Sequence, residues 1–122
     1  MLTALADPAL LYVCPDTAQM AFGDFDLGAS FEKYAERIEY VHYKDIAFHD
    51  GRGAYLPTIP PRVSEKGAWG HNRSADFLEP GRGVINFREL HRIAVRAGFD
   101  GWIVVDPDYP LTTPYKSSLH SA

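Results

Sequence analysis

The segment Tyr40–Ile46, with the sequence YVHYKDI, constrains the fold of this chain more than any other feature. Its first four residues, Tyr40–Tyr43, are predicted to form a short strand, and a strand that is buried on both faces is normally apolar. This one contains an imidazole, His42, and is followed at once by an ammonium and a carboxylate, Lys44 and Asp45. In α/β proteins the carboxyl ends of parallel strands open onto the active site. The segment therefore predicts a functional site at a strand end.

Strand and helix signals alternate along the whole chain. Ala9–Cys14 is a short apolar run that stops at a Pro-Asp pair, which is typical of a buried strand. Ser30 is the predicted N-cap of a first helix. Asn86 is the predicted N-cap of a second, with Glu89 completing a capping box, and Trp102–Val105 is the last strand. The order strand, helix, strand, helix, strand predicts an α/β fold with a parallel sheet and right-handed crossovers.

The long connection from Ala47 to Gly83 is rich in glycine and proline. A structureless loop of this length is uncommon in a compact domain and is usually functional or disordered. The aromatic residues Tyr55 and Trp69 favour an ordered flap over a floppy linker. The connection closes with Gly-Arg-Gly at 81–83, which predicts a tight turn before the second helix and resembles a phosphate-binding loop only weakly.

Each predicted strand ends at a residue that can bind a metal ion: Asp16, His42 and Asp106. In a parallel sheet the three strand ends lie at one edge. Two carboxylates with one imidazole suit Mn²⁺, Mg²⁺ or Co²⁺. Taken singly, each residue also has a structural explanation, because an acid after a strand is most often a turn former or helix cap. A lone histidine is more often a core residue, so only the agreement of three strand ends favours a metal site.

Length and composition limit what such a site can belong to. The chain has 122 residues, whereas a complete (β/α)8 barrel takes about 200 or more. A net charge of −4 gives no support for binding to nucleic acid or to an anionic membrane, and no apolar run is long enough to span a bilayer. Cys14 is the only cysteine, which favours a reducing, cytoplasmic setting and a core position for its thiol.

Four segments of the chain resemble the xylose isomerase-like TIM-barrel superfamily, which includes sugar phosphate isomerases, epimerases and inosose dehydratases. These segments are CPDTAQ at 14–19, VHYKD at 41–45, FLEPGRGVINF at 77–87 and GFDGWIVVDPD at 98–108. The resemblance extends from about Leu10 to Tyr109, and the Gly-Trp-Ile-Val-Val ending brings the chain nearest to the inosose dehydratase branch. It implies that residues 1–122 form the carboxyl-terminal portion of a TIM-barrel domain, roughly its last three to four β/α units.

The resemblance also implies a ligand set. The family binds one divalent metal through a Glu, an Asp, a His and a second Glu from successive strands. Asp16 and His42 match the Asp and the His, while the last Glu is replaced by Asp106, which is one methylene shorter. The family's first Glu is expected on a strand before Met1. The histidine of the family's Asp-Thr-Gly-His motif is Gln19 here.

The implied reaction begins with removal of a proton next to the carbonyl of a keto-sugar or keto-inositol. The metal polarises the carbonyl as a Lewis acid. The resemblance implies that Lys44 and Asp45 are the polar pair that lines the pocket and that Asp108 lies beside the last metal ligand. Lys44 would stabilise the developing oxyanion, and a neighbouring carboxylate would act as base or acid, so Lys44, Asp45 and Asp108 are the expected catalytic residues.

Half a barrel leaves two sheet edges open, so we expect either a homo-oligomer or a complementary amino-terminal barrel half as partner. One alternative is an inactive fragment or a non-catalytic α/β interaction module that uses the Ala47–Gly83 flap as its binding surface. Another is a metal-dependent endonuclease, which shares the superfamily. The acidic balance and the lack of a basic stripe argue against that alternative.

Overall fold

The computed structural model describes residues 7, 11–23, 25–50, 52–59, 75–106 and 116. These contain the helices α1 (Thr17–Phe22), α2 (Leu27–Tyr34) and α3 (Phe87–Arg96), a 3-10 turn (Ala35–Arg37), and the strands β1 (Tyr40–Tyr43), β2 (Asp45–Phe48), β3 (Ala75–Leu78) and β4 (Trp102–Val105). The predicted α/β class is confirmed. None of the helices in these ranges has the length and apolar character needed to cross a bilayer.

Strand β1 lies at the centre of a parallel arrangement. It pairs in parallel with β4, so that Tyr40 lies opposite Trp102 and Tyr43 opposite Val105. Isolated parallel bridges on its other side join Val13 to Ile38 and Asp16 to His42. The chain segments that lead into α1, β1 and β4 therefore run side by side in one direction, which brings their carboxyl ends to one edge.

The regular strand predicted over Ala9–Cys14 is not found in its described part, which begins at Leu11. Only Val13 makes a bridge within that part, and the next bridge is at Asp16. Pro15 separates the two and has no N–H to donate to a ladder, although its carbonyl accepts the His42 N–H at 2.9 Å. The segment keeps the direction of a strand without a continuous hydrogen-bonded ladder.

Two corrections concern the helices before β1. Helix α1 was not predicted, and it is capped by the Asp16 carboxylate, which accepts the Gln19 N–H at 2.9 Å. Ser30 is not an N-cap, because α2 begins one turn earlier, where the Asp26 carboxylate accepts the Ala29 N–H at 2.9 Å. Both caps are aspartates that follow irregular backbone, a position this side chain favours.

Helix α3 has its predicted N-cap, Asn86. The Asn86 side chain accepts the Glu89 N–H at 3.1 Å, and Leu90 and Ala94 are buried. Gly98 has a φ of +86°, the left-handed conformation that commonly ends a helix at glycine. The Glu89 carboxylate pairs with Arg92 at 3.0 Å.

The hydrophobic core lies on one face of β1. Val41 and Tyr43 are buried, whereas Tyr40 is exposed and His42 is half-buried. The cluster around them contains buried residues from α1, α2, β1, β2 and α3 and from the segments just before β1 and α3: Ala18, Ala21, Phe31, Ile38, Val41, Tyr43, Ile46, Phe48, Ile85, Leu90 and Ala94. All four residues of β4 are exposed. The strands predicted at Tyr40–Tyr43 and Trp102–Val105 are present, but neither is buried on both faces.

The long connection Ala47–Gly83, which the sequence predicts to be an ordered flap, contains strand residues near both of its ends. Strand β2 continues the chain to Phe48 and pairs antiparallel with β3. Farther out, the Tyr55 hydroxyl donates a hydrogen bond to the Asp76 carboxylate at 2.8 Å. The described part of the predicted flap therefore includes an antiparallel pair of strands, β2 and β3, and Trp69 lies outside the described residues.

Candidate metal centre

Three side chains meet where adjacent parallel segments end. Asp16, His42 and Asp106 each offer one ligand atom, and these atoms all lie within 4.8 Å of one another. Asp16 is held by its bridge to His42. Asp106 directly follows β4, and its N–H donates to the Tyr43 carbonyl at 3.3 Å. The parallel register therefore brings together the three residues that the sequence singled out.

The trio is compact and partly open to solvent. His42 Nδ1 lies 3.2 Å from Asp106 Oδ2 and 4.0 Å from Asp16 Oδ2. The side chains are 31% exposed for His42, 19% for Asp16 and 31% for Asp106. Two carboxylate oxygens and an imidazole nitrogen are hard or borderline donors of the kind that Mn²⁺, Mg²⁺ and Co²⁺ accept. Three such donors leave room in the coordination shell for substrate or a further protein ligand.

A buried ammonium shows that these oxygens converge on a position suited to a cation. Lys44 Nζ lies 2.8 Å from Asp106 Oδ2 and 3.1 Å from Asp16 Oδ2, and its side chain is only 5% exposed. The hydrogen bond from Lys44 holds the pKa of Asp106 below its ordinary value; the charges of Lys44 and His42 act in the same direction, and partial burial opposes them. Asp16 and Asp106 already bind one cation, the Lys44 ammonium. Their carboxylates are therefore suited to bind a metal ion.

Asp45 follows Lys44 in sequence, but its carboxylate contacts backbone N–H groups and not the candidate ligands. Its carboxylate is fully buried, with Oδ2 accepting the N–H groups of Gly81 and Gly83 at 2.9 and 2.8 Å. Its Oδ1 accepts those of Ile46 and Ile85 at 2.9 and 3.1 Å. The Gly-Arg-Gly turn thus surrounds an anion that belongs to this chain. Asp45 ties the loop before α3 to the start of β2, and its predicted catalytic role stays a prediction.

Gly83 is required by that arrangement. A Cβ at this position would overlap the Ile46 carbonyl oxygen and would lie 2.7 Å from Asp45 Cγ. The predicted tight turn is present, with Gly81 at a φ of +90°. Arg82 forms an ion pair with Glu79, Nε to Oε2 at 3.8 Å.

Thr17 supports the centre and was missed by the sequence interpretation. Its buried hydroxyl donates to the Lys44 carbonyl at 2.6 Å and accepts the Lys44 N–H at 3.0 Å. It joins the first residue of α1 to the end of β1, directly between two of the candidate ligands. The only local signal was a hydroxyl residue immediately after Asp16, a common pattern that does not reveal a partner 27 residues away.

The remaining predicted residues are placed differently or lie outside the described part. Cys14 is exposed, so its predicted core position is wrong. It forms a hydrogen bond with the Tyr40 hydroxyl, which raises the pKa of Tyr40, and the Tyr40 ring lies beside that of His42. Gln19 is exposed on α1. Asp108 lies outside the described residues.

Comparison with known proteins defines the class. A family model described as "Xylose isomerase-like TIM barrel" matches residues 2–121. The chain belongs to this family, and both the predicted resemblance and the predicted fold class, part of a (β/α)8 barrel, are confirmed. The described residues form the open α/β arrangement above rather than a closed barrel.

The individual relatives are proteins named inosose dehydratase. The one from Bacillus licheniformis is 34% identical over 116 residues, which cover 88% of this chain and 35% of the relative. That from Clostridium beijerinckii is 29% identical over 121 residues, covering 97% and 38%. Inosose dehydratase 1 from Bacillus cereus is 30% identical over 117 residues, covering 94% and 37%. The chain therefore spans little more than a third of the length of these relatives.

Proposed function

We propose that this chain is the carboxyl-terminal, metal-binding part of a sugar isomerase, epimerase or inosose dehydratase that removes a proton next to a carbonyl. The single observation that carries the proposal is the convergence of Asp16, His42 and Asp106 within 4.8 Å at the ends of parallel segments. The relatives named inosose dehydratase favour a keto-inositol as substrate. Carbohydrate substrates of this kind are small and neutral, in agreement with a chain that carries no excess of basic residues.

The metal ligands and the residues beside them have different proposed roles in the reaction. A bound Mn²⁺, Mg²⁺ or Co²⁺ ion would act as a Lewis acid on the substrate carbonyl. Lys44 donates to the oxygen on which negative charge develops, because its ammonium is buried and already directed at this site. Asp108, two residues after Asp106 in the sequence, is the proposed acid or base. Asp45 supports the reaction by holding the backbone around Lys44, since its carboxylate already accepts four N–H groups.

A partner is part of the proposal. Strand β4 is exposed along its whole length, and Trp102 is 80% exposed. We propose that a complementary amino-terminal barrel segment covers this surface and supplies the fourth metal ligand. A homo-oligomer is the alternative, although it would duplicate the same strands instead of adding a new ligand. The setting we propose is cytoplasmic, because the sequence has a single cysteine.

Complementation tests the proposed activity. We expect this chain, co-expressed and co-purified with the amino-terminal part of the Bacillus licheniformis inosose dehydratase, to dehydrate a keto-inositol in the presence of Mn²⁺. His42→Ala should abolish turnover, because it removes one of the three ligands. His91→Ala is the matched control and should leave turnover unchanged, since His91 is exposed on α3.

The opposite result would be equally clear. If the two parts form a stable complex that converts neither keto-inositols nor ketoses with Mn²⁺, Mg²⁺ or Co²⁺, the enzyme proposal fails. A non-catalytic interaction module would then be the better explanation of the retained fold.

A further inference from the structure

We propose that Lys44 is a built-in cation that competes with the divalent metal for Asp16 and Asp106, and thereby sets the metal affinity of the centre. This inference rests on the proposed metal site. It adds that the chain carries its own substitute for the ion: Lys44 holds the two carboxylates together when no metal is bound and weakens metal binding when one is present.

The first support is that the lysine contacts ligand oxygens directly. Lys44 Nζ approaches Oδ2 of Asp106 and Oδ2 of Asp16 at 2.8 and 3.1 Å. The same two Oδ2 atoms face His42 Nδ1. An ammonium and a divalent ion both need these oxygens, and two positive charges at one small, partly buried site repel each other strongly. Either the ammonium withdraws when metal binds, or the metal binds against its charge.

The second support is that Lys44 has little freedom to withdraw. Both backbone polar groups of Lys44 are held by the Thr17 hydroxyl, at 2.6 and 3.0 Å. The next residue, Asp45, is fixed by its hydrogen bonds to the loop before α3. The side chain itself is 5% exposed and lies over the Phe77 ring at 5.6 Å. The side chain of a surface lysine could rotate into solvent. Lys44, in contrast, is held by contacts along its backbone and its side chain.

These contacts predict opposite effects of removing the charge. Without metal, Asp16 and Asp106 would face each other with no ammonium between them, so the metal-free chain should lose stability. With metal, the ion would no longer be repelled, so binding should tighten. A lysine that merely packs in the core, or one that acts only on substrate, would not change metal affinity in this direction.

Lys44→Met tests the inference, because methionine keeps an unbranched apolar stem against Phe77 and removes the charge. Lys33→Met is the matched control, since Lys33 is exposed on α2. The dissociation constant for Mn²⁺ is measured by isothermal titration, and the melting temperature is measured in chelator. We expect Lys44→Met to bind Mn²⁺ about tenfold or more tightly than the parent chain and to melt at a lower temperature in chelator. Lys33→Met should change neither quantity.

The outcomes separate this inference from the proposed metal site. If the parent chain binds Mn²⁺ and Lys44→Met binds it equally or less tightly, the inference is overturned while the site stands. If neither protein binds Mn²⁺, both the site and the inference fail. If Mn²⁺ binds only after the substitution, the inference is supported, and His42→Ala in the same background should abolish the gained binding. Should Lys44→Met not fold in chelator, Lys44→Gln provides the same comparison of affinities with a polar side chain.

Discussion

Asp45→Asn is expected to lower the free energy of unfolding by about 3 kcal/mol or more, because it disrupts a buried charge-assisted network. Each carboxylate oxygen of Asp45 accepts two backbone N–H groups. An asparagine has one acceptor oxygen, so its NH₂ group would face two of those donors. The loop between β3 and α3 would lose its anchor to the start of β2, next to Lys44.

Chemical denaturation of the parent chain and the variant measures this effect. Asp100→Asn is the matched control, because Asp100 is exposed and carries the same change of charge. We expect the control to lie within about 0.5 kcal/mol of the parent chain, as is usual for surface substitutions. Equal stability of Asp45→Asn and Asp100→Asn would contradict the assignment of Asp45 as the anchor of the loop.

Gly101→Ala is expected to disturb both the sheet and the metal centre. A Cβ at this position would overlap the Glu39 carbonyl oxygen and would lie 2.6 Å from Phe99 Cε2. The same carbonyl accepts the Trp102 N–H at 3.0 Å, the hydrogen bond with which β4 begins its pairing with β1. Overpacking of this kind usually destabilises by about 1–3 kcal/mol. Because Asp106 follows β4, affinity for Mn²⁺ should fall together with stability.

Gly28→Ala is the matched control for this substitution. Its Cβ would meet the tip of the Ile93 side chain at 3.0 Å and Asp26 Oδ1 at 3.5 Å. A flexible side-chain tip can move, and alanine favours the helix in which Gly28 lies. The stability of both variants is measured by denaturation, and their affinity for Mn²⁺ by titration. If Gly101→Ala is as stable as Gly28→Ala and binds Mn²⁺ as tightly, the close approach of β4 to β1 is not needed to place Asp106.

The candidate metal centre could be predicted because its residues follow chain segments that run parallel to one another. Parallel segments end at the same edge of a sheet, so Asp16, His42 and Asp106 had to lie near one another once three strand ends were recognised. The start of helix α3 could be predicted because its cap at Asn86 is a local signal. These features need no knowledge of distant partners.

The features that were missed are a helix cap, a strand pairing and the contacts of two adjacent side chains, none of which local sequence determines. Asp26 and Ser30 can both cap a helix, and the helix begins after the first of them. The pairing of β2 with β3 places Asp45 opposite Leu78, although a long connection separates them in sequence. The local sequence of neither strand indicates which distant strand it pairs with. Lys44 and Asp45 are adjacent in sequence, but Lys44 lies between β1 and β2 whereas Asp45 begins β2. Lys44 therefore contacts Asp16 and Asp106, while Asp45 accepts N–H groups from the loop before α3.

Thermal unfolding in chelator and then in excess Mn²⁺ tests the central claim most directly, because a ligand that binds the folded chain raises its melting temperature. We predict a rise for the parent chain and for His91→Ala, and no rise for His42→Ala. A folded parent chain whose melting temperature is the same in chelator and in Mn²⁺, or a rise that survives His42→Ala, would contradict the assignment of Asp16, His42 and Asp106 as a metal centre.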